Sequence, residues 1–401
     1  MSTFTFSTTE KNKPLLICKG FAYTIDKTTN DKTYWKCEHV RKFKCKGRIH
    51  TNCTHTTLLH EDDNHNHPDF PKIPHDKTFN LIPDKLTTKR NSLFLQFDSG
   101  PGNDRIIIFA SAEQLQLLES DEQLLVDGTF KVTPSIFYQL YVMRMVYRNA
   151  VLPVVFALLP NKTQETYRRL IDKLSEICPL WSPKFIMIDS ELASINAFGD
   201  KFVTTTNSSI ISGCFFHLQN SIQRKLQDLG FKTNYEQDPV FSHHVNQIAA
   251  LAFLQPNDVS QGFDDLYNSL PQMLHLLLDY FEGTYVGRNR TQGRAKTMFE
   301  IELWNMHQRT TDRLMRTNNS AEAWHRCLSS IMQCQHPTLW SFINNLKNED
   351  HYIHCQLIKL NCGEKVEPNK KYLNYSARLR HLIMPPLPCI LQRLKGLAHN
   401  L

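Results

Sequence analysis

Three acidic residues stand at positions where carboxylates could carry metal-dependent chemistry. Asp127 ends the apolar run LLVD, Asp189 ends FIMID, and Glu322 lies in the segment RTNNSAEAWHRCL. Both aspartates follow apolar runs that predict buried strands, so we expect their carboxylates to lie close together at one edge of a sheet. A third carboxylate from a helix would complete an oxygen-rich site for two Mg2+ ions, because hard cations prefer oxygen ligands. Such a site supports in-line displacement at phosphorus.

Each of these acidic residues also has an ordinary structural role that the sequence leaves open. Asp127 could end a strand at a turn that begins with glycine. Asp189 could cap the helix that starts near Leu192. Asn319 and Glu322 have the spacing of a capping box ahead of an apolar helical stripe. Residue type and spacing therefore do not establish the acidic triad by themselves.

A second cluster of chemically capable side chains lies near the N-terminus. Cys37 ends the motif YWKC, Cys45 comes eight positions later, and the motif HNH supplies His65 and His67. Two thiolates and two imidazoles complete a tetrahedral zinc shell. The spacing differs from that of the C2H2 finger, so other residues compete for the ligand positions: Cys18, His39, Cys53, His55 and His60.

The motif GCFFH places a thiol and an imidazole three residues apart at a predicted strand-to-helix junction. These residues are Cys214 and His217, and their spacing could supply half of a zinc site. No second Cys/His pair is obvious nearby. A buried cysteine beside a hydrogen-bonded histidine is therefore the alternative.

Positive charge is concentrated in the segment between the zinc-ligand pairs, in the loop VGRNRTQGRAK, and next to Glu322. Clustered cations are typical of contact with a phosphate backbone, although a solvated surface has the same pattern. The candidates for DNA contact are Lys42, Lys44, Lys46, Arg48, Arg288, Arg290, Arg294 and Arg316.

The elements that must position the acidic residues follow from hydrophobic periodicity. The runs EQLLVDGTFKV, FYQLYVMRMVY and VLPVVFALL predict three strands, and QETYRRLIDKLSEI has the apolar spacing of an amphipathic helix. Two further strands are predicted at KFIMIDS and SIISGCFF, and a second helix at LQNSIQRKLQDL. Periodicity alone indicates an α/β domain with a mixed sheet. The order of the elements is that of a ribonuclease-H-like sheet.

Changes in composition divide the chain into five segments. Residues 1–75 predict a small β-rich zinc-binding domain, and the Pro-rich residues 76–91 predict a linker. Residues 92–232 form the first part of the α/β core, and residues 233–312 predict a mostly helical insertion. Residues 313–401 complete the core with the third acidic residue and C-terminal helices.

The overall composition limits the class of protein. No run approaches the roughly 18 consecutive apolar residues of a membrane span, and the first residues lack the apolar core of a secretory signal. These features predict an intracellular protein without a membrane partner. The 11 cysteines are an odd number, better explained as core residues or metal ligands than as disulfides. The net charge of +7 agrees with a polyanionic partner but does not establish one.

The N-terminal motifs resemble those of the FLYWCH-type zinc finger. The similarity rests on GFAY, YWKC, the second cysteine followed by KGR, and the closing HNH. It implies a small β-sheet around one zinc ion, held by Cys37, Cys45, His65 and His67. Members of this family bind DNA or protein, so DNA is the implied partner of the finger.

The rest of the chain resembles the transposase domain of Mutator-like elements. The similarity is carried by an ordered set of motifs: VDGTF, IDSELA, GCFFHLQNSIQRK, LAFLQP, YFEGTYVG and RTNNSAEAWHRCL. It implies a ribonuclease-H-like fold in which Asp127, Asp189 and Glu322 bind catalytic Mg2+ or Mn2+. Glu191, two positions after Asp189, is the main rival for metal contact from the same strand end.

These features predict a DNA transposase that cleaves and joins strands in the nucleus, where the finger helps to recognise element ends. The need to pair two element ends predicts a homo-oligomer. Two other functions stay open. One is a domesticated DNA-binding regulator without catalytic activity, and the other is a protein-interaction module on an inert scaffold.

Overall fold

The computed structural model describes most of the chain, with gaps that are concentrated in its N-terminal quarter. The described residues are 4–8, 13–18, 21–38, 40–62, 64–65, 74, 76–79, 86–204, 208–332, 335–366, 370–384 and 389–401.

Within the described residues, six strands near the N-terminus form an antiparallel sheet in which each strand pairs with the next along the chain. The elements are β1 (Phe4–Thr8), β2 (Pro14–Cys18), β3 (Phe21–Thr28), β4 (Lys32–Cys37), α1 (Val40–Phe43), β5 (Arg48–Asn52) and β6 (Leu58–Asp62). Alternation along β4 buries Trp35, whose indole N–H donates to Thr51 Oγ1 at 3.0 Å. The predicted small β-rich N-terminal domain is confirmed.

Seven of the strands described after residue 86 form a mixed sheet in the order β13-β12-β9-β10-β11-β8-β7. The strands are β7 (Leu95–Asp98), β8 (Ile107–Phe109), β9 (Gln123–Thr129), β10 (Gln139–Tyr147), β11 (Ala150–Leu159), β12 (Phe185–Ile188) and β13 (Ile210–Gly213). The central strands are antiparallel from β9 to β11, whereas β12 runs parallel to both β9 and β13. Their continuous apolar runs match their burial.

Helices flank this sheet and follow the predicted periodicity. They are α2 (Ala112–Ser120), α3 (Gln164–Ile177), α4 (Leu192–Phe202) and α5 (Phe215–Asp228). The apolar stripe of α3 is buried as expected, and Thr163 Oγ1 caps the helix by accepting from Thr166 N. One boundary prediction is wrong. The predicted strand SIISGCFF ends at Gly213, and the helix begins at Phe215, one residue after the cap position of Cys214.

The remaining described chain is mainly helical, as predicted from residue 233 onward. It contains α6 (Lys232–Gln237), α7 (Pro239–Ala250), α8 (Val259–Ser269), α9 (His275–Phe281), the short hairpin β14 (Asn289–Arg290) and β15 (Gly293–Arg294), α10 (Ile301–Trp304), α11 (His307–Thr311), α12 (Asn319–Met332), α13 (Leu339–Asn361), α14 (Lys370–Ile383) and α15 (Ile390–Ala398). A π-helical turn, Glu282–Val286, continues α9. Three 3-10 turns occur at Leu251–Phe253, Pro256–Asp258 and Gln272–Leu274.

Two of the predicted segments, the linker 76–91 and the C-terminal segment 313–401, pack differently from the prediction. In the predicted linker, Arg105 Nη1 donates to the carbonyls of Lys77 and Phe79, and Leu86 is buried against the α/β core. Farther along, α12 and α13 pack on the large sheet, but α14 and α15 contribute to the core of the helical segment instead. The first difference arises because the Pro-rich segment also contains apolar residues, such as Leu86, that pack on the core. The second difference arises because periodicity predicts a helix but not the part of the protein against which the helix packs.

No helix among the described residues is long and apolar enough to cross a bilayer.

Candidate functional site

The two aspartates lie side by side on neighbouring parallel strands. Residues Phe185 to Met187 of β12 pair with Gln123 to Leu125 of β9, and the same register continued by two residues sets Asp189 opposite Asp127. Asp127 lies inside β9, not at its end, and its side chain is only 4% exposed. Asp189 follows the last residue of β12 and is more open to solvent.

Each aspartate is contacted by an imidazole from a different helix. Nδ1 of His217, in the first turn of α5, lies 3.1 Å from Asp189 Oδ1. Nδ1 of His325, on α12, lies 3.3 Å from Asp127 Oδ2. The alternative that Asp189 caps the following helix is wrong, because the cap position of α4 is Glu191.

The surroundings favour the ionised form of Asp127. Burial opposes ionisation, but the hydrogen bond with Asp189 and the nearby His325 and Arg144 lower the pKa of Asp127 below its ordinary value. Burial also lowers the pKa of His325 to about 4, although the adjacent Asp127 raises it, so the imidazole is neutral near pH 7. A carboxylate pair with a neutral backing histidine is an anionic site.

The acidic pair opens into a cleft of about 500 Å³ between the large sheet and the helical segment. The opposite wall comes from α5, α9 and the π-helical turn. There Ser221 Oγ lies 2.6 Å from the Tyr280 hydroxyl and accepts from the Tyr285 hydroxyl at 2.8 Å. Arg224, exposed on α5, adds a cation to this wall. The cleft thus joins an anionic edge to a wall of hydroxyl groups, aromatic rings and one arginine.

The pair has the donor set that a divalent cation requires. Two carboxylates held next to each other repel unless a cation or a proton lies between them, and oxygen donors suit Mg2+ or Mn2+. Glu191, the rival ligand, lines the same cleft but forms an ion pair with Lys162 at 3.1 Å. Asp127 and Asp189 therefore fit a divalent cation better than Asp189 and Glu191 do.

The third predicted acidic residue is only partly described. The backbone of Glu322 lies in α12, three residues before His325, while its side chain lies outside the described part of the structure. Residues three apart share one face of a helix. The helix α12 begins at Asn319, so this residue already lies within the helix.

The N-terminal sheet brings three of the four predicted zinc ligands together. Ligand atoms of Cys37, Cys45 and His65 lie within 4.8 Å of one another, and His67 lies outside the described residues. A tetrahedral zinc ion with bonds of about 2.0–2.3 Å needs ligand atoms roughly 3.5 Å apart, so the three residues fit it. His65 Nδ1 lies 3.2 Å from Cys45 Sγ, while its Nε2 lies 2.7 Å from the Tyr23 hydroxyl. Tyr23 thereby orients the ring, as outer partners of metal-bound histidines do.

The competing cysteines and histidines have other partners or positions. Cys18 Sγ contacts Glu61 Oε1 at 3.5 Å, and His55 Nδ1 lies 3.2 Å from Thr51 Oγ1. Cys53 is exposed, and the ring of His60 packs near His50. His39 lies outside the described residues.

Two segments of the chain match known protein families. Residues 6–67 match the FLYWCH zinc finger domain, and residues 123–221 match the MULE transposase domain. The chain carries a FLYWCH zinc finger and a MULE transposase domain. The MULE match contains Asp127, Asp189, Cys214 and His217, and it ends before Glu322. No curated protein matches the chain. Together with the three clustered ligands, the finger match supports a structural zinc ion.

Cys214 and His217 of the MULE domain have separate partners in the structure. Cys214 is buried, its Sγ accepts from Asn318 N at 3.1 Å, and burial raises its pKa to about 12. Cys214 joins α5 to the start of α12, while His217 turns toward Asp189. The two residues serve the acidic site separately.

The DNA-contact candidates divide into exposed and internal cations. Lys44, Lys46, Arg288 and Arg290 are exposed, and the side chain of Lys42 lies outside the described part of the structure. Arg48 donates to the carbonyls of Cys45 and Gly47 near the zinc ligands.

Two other candidates are corrected by the structure. Arg294 pairs with Asp264 and Glu282 and donates to the Gly287 carbonyl, which fastens the hairpin to the helical segment. Arg316 is 4% exposed and donates to Ser376 Oγ at 2.8 Å. Buried guanidinium groups are not placed for phosphate contact. Arg294 and Arg316 differ from the exposed cations in their burial, which cannot be predicted from the clustering of charge in the sequence.

Variants of the exposed and the internal arginines of the β14–β15 hairpin should differ in DNA binding and in thermal stability. We expect Arg288→Ala with Arg290→Ala to weaken DNA binding and to reduce the salt slope of log K by about two, because two phosphate contacts would be lost. Arg294→Ala should instead lower the unfolding midpoint, by about 2–6 °C, with little change in the slope. Filter binding between 50 and 200 mM salt, beside thermal unfolding, measures both. An unchanged slope in the double variant would remove the hairpin from the DNA interface.

Gly47 of the finger leaves room for the zinc-ligand ring. A Cβ atom at this position would lie 2.3 Å from His65 Cε1, so Gly47→Ala must displace His65. We expect a loss in zinc affinity of at least about tenfold, measured by competition with a chromophoric chelator. Lys46→Ala, at the adjacent exposed position, is the control and should keep its affinity. Equal affinities for both variants would argue against His65 as a ligand.

Several site residues were not identified from the sequence. His325 and Arg144 contact or face Asp127, and Arg224, Tyr280 and Tyr285 form the opposite wall. His325 had a usable signal, because it lies three residues after an acidic candidate in a predicted helix. The wall residues had none, since the helical segment reaches the cleft only through tertiary packing.

Proposed function

We propose that this transposase-related protein is a metal-dependent DNA transposase with a ribonuclease-H-like core. The strand order supports that fold assignment. Along the sheet, β11-β10-β9-β12-β13 has the first strand of the unit at its centre, two antiparallel strands on one side and two parallel strands on the other. Asp127 lies on the central strand and Asp189 at the end of the next one.

The observation that carries the proposal is the adjacency of Asp127 and Asp189 at an open cleft. Asp127 is buried and ionised, and Asp189 is its more exposed neighbour, so a cation could be held between protein and substrate. A divalent ion bound there supplies Lewis acidity toward phosphoryl oxygens and lowers the pKa of bound water. The protein would hold the carboxylates, exclude bulk water from one side and contact DNA phosphate through Arg224.

Glu322 is proposed as the third acidic residue of this site. Its helix is fastened to the acidic edge by His325, which follows one turn later and contacts Asp127. The family resemblance of RTNNSAEAWHRCL to Mutator-like transposases supports the same role. Glu322→Gln should therefore behave as Asp127→Asn does in cleavage assays.

The finger is proposed to bind DNA at the element ends. Its exposed Lys44 and Lys46 lie on either side of the buried ligand Cys45, so zinc binding would order the backbone that carries them. We propose His67 as the fourth zinc ligand and the nucleus as the site of action.

The experiment that tests the proposal uses the purified full chain and labelled DNA carrying the terminal repeats that flank its own gene. We expect nicking or joining with Mg2+ or Mn2+, and none with EDTA. DNA binding without cleavage in any divalent metal would support a domesticated regulator instead. The absence of salt-dependent DNA binding would support a protein-interaction scaffold.

A further inference from the structure

A line of buried polar side chains backs Asp127 on the side formed by α12 and α13. His325 contacts Asp127 Oδ2, and the other ring nitrogen of His325, Nε2, lies 3.3 Å from Nη2 of Arg144. Neither His325 nor Arg144 lines the cleft. Arg144 is 1% exposed, and the side chain of His325 is 12% exposed. These two residues therefore act on the site only through Asp127.

The contacts of His325 select one tautomer. An arginine guanidinium has only donors, so Nε2 of His325 must be the accepting nitrogen in its contact with Arg144. The proton of the neutral ring is then on Nδ1, which faces Asp127 Oδ2 at 3.3 Å. The other neutral tautomer, with the proton on Nε2, would set an N–H against the guanidinium and a lone pair against the carboxylate. Both contacts would then be repulsive.

Arg144 is itself held in place from two sides. It projects from β10, two residues after the strand partner of Asp127, Val142, so it shares a face of the sheet with Asp127. Its guanidinium carbon lies 4.9 Å from the centre of the Trp324 ring, and Trp324 Nε1 donates to Glu349 Oε1 at 2.6 Å. The order is thus carboxylate, imidazole, guanidinium, indole and carboxylate, and it ties α12 and α13 to the central strands.

We propose that His325 is a positioning residue whose Nδ1, 3.3 Å from Asp127 Oδ2, orients this carboxylate for a divalent cation and sets the distance between α12 and β9. This role rests on the proposed function, because the orientation of Asp127 matters only if Asp127 binds metal. With Oδ2 engaged by His325, Oδ1 is the oxygen available to a cation. Since Glu322 is carried by the same helix, His325 also couples the third carboxylate to the first.

Two amide variants of His325 separate the contact of Nδ1 with Asp127 from the contact of Nε2 with Arg144. His325→Asn carries its amide near the position of Nδ1, and His325→Gln carries it near the position of Nε2. We expect the Asn variant to keep Mn2+ affinity within about threefold of wild type and the Gln variant to lose about 10–100-fold, as outer-partner substitutions do. Isothermal titration of Mn2+ into the full chain measures both. Cys327→Ser, exposed on the same helix, is the control.

A second measurement does not depend on metal binding. Nitrogen NMR of the imidazole should show the proton of His325 on Nδ1 in the metal-free chain. A proton on Nε2, or equal Mn2+ affinities for folded Asn and Gln variants, would overturn the positioning role. If the wild-type chain binds no Mn2+ while the proton is on Nδ1, the proposed function fails and His325 is only a structural donor to Asp127.

Discussion

Asp127→Asn is expected to lower metal-dependent DNA cleavage by about three orders of magnitude or more. Replacing a metal-binding carboxylate removes several kcal/mol of charge stabilisation, and each factor of ten corresponds to about 1.4 kcal/mol. Asparagine has the shape of aspartate and keeps an oxygen that can face His325, so the fold should be retained. Single-turnover cleavage of a labelled duplex carrying the terminal repeats measures the loss.

Glu191→Gln is the matched control for this variant. Glu191 lines the same cleft, but its carboxylate is paired with Lys162 and lies at the exposed rim. We expect its cleavage rate to stay within about tenfold of wild type, because a surface ion pair contributes little. If Glu191→Gln lost activity as completely as Asp127→Asn, the metal would be shared by Asp189 and Glu191 as well. An active Asp127→Asn protein would exclude Asp127 from catalysis.

Removal of zinc is expected to unfold the FLYWCH domain and leave the MULE domain folded. Among the described residues of the finger, the buried hydrophobic cluster consists mainly of Leu16, Tyr23, Trp35 and Ile49 together with the cysteines, which is small for an independent domain. A structural zinc site contributes on the order of 10 kcal/mol of apparent binding free energy to such a fold. With a chelator, amide exchange protection should be lost in β4 and β5 and retained in β9 to β11.

Substitutions of single cysteines provide the control for zinc removal. Cys37→Ser should give the same loss of protection as the chelator, because Cys37 belongs to the ligand cluster. Cys53→Ser should have no effect, since Cys53 is exposed and outside that cluster. Retained protection in β4 and β5 after complete zinc removal would show that the finger folds without metal. A metal content of about one zinc per chain is expected for the Cys53→Ser protein.

The sheet was predictable from the sequence because its strands are long apolar runs and its first crossover helix is strongly amphipathic. The segment around VVFALL is a continuous apolar run that predicts a buried strand, and QETYRRLIDKLSEI has the apolar spacing of a helix. The end of β13 was not predictable, because the apolar Phe215 and Phe216 continue the run although the backbone has turned into α5. The docking of α14 and α15 on the helical segment depends on contacts between distant parts of the chain.

The acidic pair, the zinc cluster, the DNA-contact cations and the cleft wall could be predicted from the sequence to different degrees. Asp127 and Asp189 each follow an apolar run in the sequence, and parallel pairing of neighbouring strands then brings them together. Cysteine and histidine types identified the zinc cluster, while the family pattern selected among the competitors. Charge clustering failed for Arg294 and Arg316, because it does not distinguish a guanidinium facing solvent from one buried against another helix. The imidazole partners and the cleft wall became visible only in three dimensions.

The most direct test of the acidic centre is a Mn2+ titration followed by electron paramagnetic resonance of the free ion. The full chain, with zinc in its finger, would be compared with its Asp127→Asn, Asp189→Asn and Glu191→Gln variants. We predict saturable Mn2+ binding by the wild type, retained in Glu191→Gln and lost in both aspartate variants. Equal Mn2+ binding by all four proteins would contradict a metal centre at Asp127 and Asp189.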